Sequence, residues 1–95
     1  MSNSFFKMDN ITEGWYYNLH KLSMYYVYGP SAITLCRVIS KNYENNTIFV
    51  EGFNIRSNFV KYSIPIKYIS SVASSKDIEN FKMDLVRYEA SKYNI

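Results

Sequence analysis

The sequence predicts an α+β fold, in which a C-terminal α-helix packs on a curved antiparallel β-sheet or a small β-barrel. Two observations predict this architecture. Between Ser31 and Val72 apolar and polar residues alternate, broken only by turn-like runs, which is typical of consecutive antiparallel strands. From Ser74 to Asn94 the apolar residues instead recur at spacings of three and four, which is the period of a helix that buries one side.

The alternating stretch divides into four expected strands. The first, Ser31–Ser40, is apolar on both faces, as a central strand should be. The second, Thr47–Ile55, contains Gly52, which indicates a bulge or a sharp bend. The third and fourth are Phe59–Ile64 and Ile66–Val72, with Pro65 between them. The connections are the polar loop Lys41–Asn46 and the tight turn Arg56–Asn58.

The spacing of these strands resembles that of the Sm-like and SH3-like small β-barrels. In this comparison Ile64 to Val72 stand where the last strands of those barrels lie. The resemblance covers less than half of the chain and implies a strongly curved sheet, either open or closed into a barrel.

The C-terminal helix is predicted to begin with a capping box, because Ser74 stands three residues before Asp77. One apolar stripe runs through Ile78, Phe81, Leu85 and Tyr88 and is expected to lie over the sheet or across one open end of the barrel. Further apolar residues outside this stripe would allow the helix to take part in dimerisation; they are Met83, Val86, Ala90 and Tyr93.

The N-terminal third is harder to assign. Met1–Asn10 is predicted to be an arm whose Phe5 and Phe6 dock on the domain. A short helix or turn is predicted for Ile11–Lys21, although Trp15, Tyr17 and Leu19 alternate as in a strand. Met24–Tyr28 is predicted to be extended and to end at Gly29-Pro30.

Length and composition predict one intracellular domain. Residues 1–95 suit a single domain with a strand-rich body at residues 23–72. The single cysteine excludes an intrachain disulfide and favours a reducing, cytoplasmic location. We expect no signal peptide, since no basic region followed by a long apolar run is visible, and no membrane span, since the longest apolar run is five residues, Met24–Tyr28.

The residues that most enzyme mechanisms require are few. The chain has one histidine, His20, and one cysteine, Cys36, which is too few ligands for a zinc site of the usual kind. Its three glycines are isolated, so neither phosphate-binding nor dinucleotide-binding loops are present as motifs. We therefore expect a protein that is not an enzyme and that has no metal or other cofactor.

The distribution of charge favours a binding function. The net charge is +3, and from Gly14 to Ala73 six cations outnumber two anions, whereas the C-terminal helix is balanced. Cations beside tyrosines are typical of surfaces that bind RNA or single-stranded DNA, because cations contact phosphates and flat rings stack on bases. The predicted phosphate-binding residues are Arg37, Lys41, Arg56, Lys61 and Lys67, and the predicted stacking residues are Tyr43, Tyr62 and Tyr68.

The same residues are also compatible with roles other than nucleic-acid binding. Lys61 and Tyr62 point to opposite faces of a regular strand, so only part of the set can share one surface. A solvated strand face also alternates lysine with tyrosine, and lysines on edge strands discourage aggregation. The alternative function is a protein-interaction module, such as a small viral or mobile-element inhibitor or accessory protein that binds a larger protein. A third possibility is a homo-oligomer joined through sheet edges.

Overall fold

The computed structural model describes residues 6–93 and has five strands and two α-helices in that range. The strands are β1 (Tyr16–Leu19), β2 (Ile33–Asn42), β3 (Thr47–Asn54), β4 (Phe59–Pro65) and β5 (Ile69–Val72). The helices are α1 (Lys21–Tyr28) and α2 (Ser75–Tyr93), and single 3-10 turns lie at Met8–Asn10, Gly29–Ser31 and Ile66–Tyr68. The strands form one antiparallel sheet in the order β4-β3-β2-β1-β5. The α+β prediction is confirmed.

The sheet is open, with β4 and β5 at its edges. Of the two forms expected from the sequence, the curved sheet is therefore the one that the protein adopts. The register of β2 against β3 shifts between Ile33 and Cys36, next to the position where Cys36 pairs with Gly52. A Cβ on Gly52 would lie only 2.6 Å from the carbonyl oxygen of Leu35. The irregularity predicted at Gly52 is thus a bulge in the facing strand β2, and Gly52 lies where the two backbones approach closely.

Strand β2 is central, as its two apolar faces predicted. On one face, Cys36 and Val38 are fully buried under the N-terminal segment, α1 and the 3-10 turn at Ile66–Tyr68. On the other face, α2 packs on Tyr16 through Phe81, with Leu35 beside them. Both faces of the sheet are therefore covered, and α1 and α2 lie on opposite sides of it.

The N-terminal segment docks on the sheet from Phe6 onward. Phe6 packs against the core and meets the ring of Tyr17 edge-on, while Met8 and Ile11 are buried. Lys41 holds this segment from β2, because its Nζ donates hydrogen bonds to the carbonyl oxygens of Met8 and Ile11 at 3.2 and 2.8 Å. Docking is thus confirmed for Phe6, whereas residues 1–5, including Phe5, lie outside the described residues.

Two N-terminal elements differ from their predictions. Residues 16–19 form strand β1 rather than a helix or turn, because alternate residues fill the two faces of the sheet. Met24–Tyr28, predicted to be extended, belongs to helix α1. A helix brings the side chains of Met24 and Tyr28, four positions apart, to the same side. Met24 is then fully buried, and the ring of Tyr28 stacks on that of Tyr62 with centroids 4.8 Å apart.

The last strand begins later than expected. Residues 66–68 form a 3-10 turn, and β5 starts at Ile69 rather than Ile66. The chain must travel here from one edge strand, β4, to the other, β5, across the face of the sheet. The 3-10 turn is part of this crossing, and it buries Ile66 while leaving Lys67 exposed.

The predicted capping box opens helix α2. The Asp77 backbone N–H donates to Ser74 Oγ at 3.1 Å, and the Ser74 N–H donates to Asp77 Oδ2 at 3.3 Å. Asn18 Nδ2 donates to the same carboxylate at 3.3 Å, which ties the start of α2 to β1. These hydrogen bonds, that from Asn18 foremost, hold the pKa of the Asp77 carboxyl below its usual value. Asn94, the predicted last residue of the helix, lies outside the described residues.

Removing this cap is expected to destabilise the protein measurably. Losing an N-cap hydroxyl costs about 1 kcal/mol, so Ser74→Ala should lower the Tm by about 4–8 °C in a domain of this size. Thermal unfolding followed by circular dichroism measures the change. The control is Ser75→Ala, since Ser75 is the first helical residue and its side chain makes none of the hydrogen bonds found within residues 6–93. Equal losses in the two variants would contradict the capping role.

Candidate functional site

Two predicted cations, Arg37 on β2 and Lys61 on β4, are paired with the same acidic residue. Arg37 Nη1 lies 3.2 Å from Glu51 Oε2, and Lys61 Nζ lies 4.0 Å from Glu51 Oε1. The three residues are cross-strand neighbours on the face that α2 covers. The Glu51 side chain is only 12% exposed, so its charge partly neutralises both cations next to α2.

Lys41 and Tyr43 are occupied by the N-terminal segment. The Lys41 ammonium, which binds the carbonyls of that segment, lies 5.4 Å from the centre of the Tyr43 ring. The Tyr43 hydroxyl donates to Asp9 Oδ1 at 3.2 Å. These two predicted binding residues therefore hold the chain's own N-terminal segment in place.

Tyr62 is half-buried and packs against the core. Its hydroxyl donates to the carbonyl oxygen of Ser31 at 2.7 Å and accepts from the Ile33 N–H at 3.1 Å. Burial raises the pKa of this hydroxyl to about 12. The ring packs against the core on the face opposite Lys61, as the strand alternation predicted. Its stacking partner is Tyr28 of the same chain.

The remaining predicted residues lie on turns. Arg56 is exposed in the connection between β3 and β4. Lys67 is exposed in the 3-10 turn, with its Nζ 5.5 Å from the centre of the Tyr68 ring. The structure thus brings six of the eight predicted residues together, as three separate pairs: Arg37 with Lys61, Lys41 with Tyr43, and Lys67 with Tyr68.

A different surface, on helix α1, exposes a group of apolar side chains. Leu22, Tyr25, Tyr26 and Val27 are between 53% and 84% exposed, and we call them the α1 surface. Leu22, Tyr25 and Tyr26 share one side of the helix because they are three and four positions apart. The opposite side carries Met24, which is seated in the core. A helix predicted for residues 21–28 would have grouped these side chains on one surface. The extended segment predicted instead places neighbouring side chains on opposite faces.

Lysines border the α1 surface. Lys21 is the first residue of the helix, and Lys67 lines a recess together with Tyr26, Val27 and Tyr68. The recess is completed by Ser23, so its lining contains a cation and no anion. A bound partner would therefore meet apolar side chains at the centre and positive charge at the margin.

The single cysteine and the single histidine lie in different environments. Cys36 is fully buried, and burial raises the pKa of its thiol to about 12, which keeps the sulfur protonated. His20 is exposed and directly precedes α1. Among residues 6–93 no group of three His, Cys, Asp or Glu residues could hold a metal ion.

Comparison with known proteins does not indicate a function, so the candidate site is argued from the geometry of the chain. None of the helices between residues 6 and 93 combines the length and the apolar character needed to cross a membrane. No protein-family model, curated protein or solved structure matches the chain.

Proposed function

We propose that the protein is a non-catalytic binding module that docks on a larger protein through the α1 surface. The observation that carries this proposal is the exposure of four apolar side chains on a helix of eight residues. Contiguous exposed apolar groups mark interaction sites, because leaving them in water is unfavourable. Tyrosine is also among the residues that contribute most to protein interfaces, since it combines a large apolar ring with a polar tip.

The α1 surface stands on a helix that is already formed and packed on the core. Met24 anchors the helix in the core, and Tyr28 stacks on Tyr62 while its edge meets Tyr68. A helix that is already formed lowers the entropy lost on binding, because it does not have to become ordered. The anchoring residues therefore support the binding role of the residues on the opposite side of the helix.

Charge indicates the chemistry of the partner. Lys21 and Lys67 lie at the margin of the apolar residues. A complementary protein surface would have an apolar centre and a rim of aspartate and glutamate, because opposite charges favour correct encounter and register. We therefore propose a partner of that description. The single cysteine of the chain favours a reducing, cytoplasmic location for this interaction.

Single-stranded nucleic acid is the second candidate, favoured by one observation. Lys67 and Tyr68 lie beside Tyr26, so a base could stack on a ring while the lysine contacts a phosphate. Two features favour a protein instead. Leu22 and Val27 are aliphatic and offer no stacking surface, and most of the other predicted cations are engaged within the chain: Arg37, Lys41 and Lys61.

Affinity capture from native lysate, with and without nuclease, tests the proposal through a pair of variants. Leu22→Ser/Tyr26→Ser should lower the amount of the captured partner by about tenfold or more, because interface anchors each contribute about 2 kcal/mol or more. The matched control is Ile55→Ser, since Ile55 is 57% exposed but lies in the turn between β3 and β4. It should capture the partner as the wild type does.

The outcomes separate the two candidates. A protein lost from the double variant but retained after nuclease treatment supports the proposal. Loss of the partner on nuclease treatment would assign the surface to nucleic acid instead. Equal capture by the wild type and the double variant would show that the α1 surface is not the binding site. Circular dichroism spectra establish that each variant is folded, as expected for substitutions of exposed residues.

A further inference from the structure

Helix α2 exposes a second apolar surface on its outer side. Met83, Val86, Ala90 and Tyr93 follow at spacings of three, four and three, and we call them the outer stripe. The three larger side chains are between 49% and 81% exposed. At about 100° per residue, these positions lie on the side of the helix opposite Phe81, which faces the sheet. The side of α2 that does not touch the sheet is therefore also apolar.

We infer that a second copy of this chain covers the outer stripe, with the two α2 helices antiparallel. Apolar residues at alternating spacings of three and four form the seam of two-helix coiled coils. The neighbouring positions are charged and differ between the two sides of the stripe: Lys82 and Glu89 lie along one side and Arg87 along the other. These charges select how two such helices can meet.

An antiparallel pair centred between Met83 and Val86 is complementary to itself. In this arrangement Met83 packs on Val86 of the second copy, and the reverse contact follows from the two-fold symmetry. At the ends of the seam, Ala90 and Tyr93 meet Glu79 and Lys76 of the second copy. The side that carries Lys82 and Glu89 then meets the same side of the second copy, running in the opposite direction. Each Lys82 consequently faces Glu89 of the second copy, so two attractive pairs form across the seam.

Two alternative arrangements bring like charges together. A parallel pair places Lys82 against Arg87 of the second copy. An antiparallel pair shifted so that Met83 meets Tyr93 would join more apolar residues, but it places Glu89 against Glu89 and Arg87 against Arg87. Like charges at these positions oppose association, so the pair centred between Met83 and Val86 is favoured over these two arrangements.

The outer stripe and the α1 surface are independent of each other. The outer stripe lies on the far side of α2, whereas the α1 surface lies across the opposite face of the sheet. Both surfaces can be occupied at once, and loss of one leaves the other unchanged. The outer stripe has four residues, whereas a stable interface has about 20–30 residues on each side. We therefore expect a dimer that dissociates on dilution.

Sedimentation equilibrium of the purified chain over a range of concentrations tests the inference. The wild type should show a reversible monomer–dimer equilibrium. Val86→Glu should raise the dimer Kd by at least about tenfold, because a carboxylate would be buried at the centre of the seam. Ile55→Glu adds the same charge at an exposed apolar residue outside the stripe and should leave the Kd unchanged.

Charge exchange then tests the antiparallel arrangement. Lys82→Glu and Glu89→Lys should each weaken the dimer, and the double variant should restore it, because the facing charges are opposite again. A chain that stays monomeric at every concentration, or a dimer that Val86→Glu leaves intact, would overturn the inference. A dimer strengthened by Lys82→Glu would also overturn it, since that result requires Arg87 to face position 82.

Discussion

Met24→Ala is expected to lower the free energy of unfolding by about 2–5 kcal/mol, which is the usual cost of truncating a large buried side chain. Met24 is fully buried among the residues of the main core, so its truncation leaves a cavity between α1 and the sheet. Urea unfolding followed by circular dichroism measures the change, and the midpoint should fall without a large change in slope.

Leu22→Ala in the same helix is the matched control. Leu22 is one of the most exposed apolar residues of the described chain, and leucine and methionine have similar helix propensities. Its truncation should change the free energy of unfolding by about 0.5 kcal/mol or less. A loss at Leu22 as large as that at Met24 would contradict the assignment of inner and outer sides to α1.

Gly52→Ala is expected to lower the free energy of unfolding by about 1–3 kcal/mol, since its Cβ would overpack the site. The added Cβ would lie 2.6 Å from the carbonyl oxygen of Leu35 and 2.7 Å from Cγ2 of Ile33. The first of these atoms belongs to the backbone of β2, so the strand itself would have to move.

The direction of this change is as informative as its size. The backbone angle φ of Gly52 is not positive, so alanine can adopt the local conformation. At such a site alanine ordinarily stabilises a protein by about 0.4–1 kcal/mol, because it reduces the freedom of the unfolded chain. Urea unfolding that shows a gain, or no change, would contradict the close approach of β2 and β3 at Gly52.

Strands β2 to β4 and helix α2 could be predicted within one or two residues. In these segments the hydrophobic period is unambiguous and the boundaries carry their own signals, such as the Ser74–Asp77 capping box. The segment around α1 could not be predicted in this way. Tyrosine and valine favour strands locally, and the helix forms because the core accepts Met24 and Tyr28 on one side.

The roles of the predicted binding residues were harder to predict than the fold because their contacts are distant in sequence. The sequence shows where Lys41 and Tyr62 stand but not that their partners are Ile11 and Ser31, about thirty residues away. These contacts depend on how the N-terminal segment and the sheet come together. Simple strand alternation, by contrast, correctly placed Lys61 and Tyr62 on opposite faces.

Hydrogen exchange of the protein alone and in complex with its captured partner tests the role of helix α1 most directly. Docking on the α1 surface predicts slower exchange at residues 21–28 and 66–68 in the complex, with β3 and β4 unchanged. Slower exchange across β3 and β4, with residues 21–28 unchanged, would contradict it.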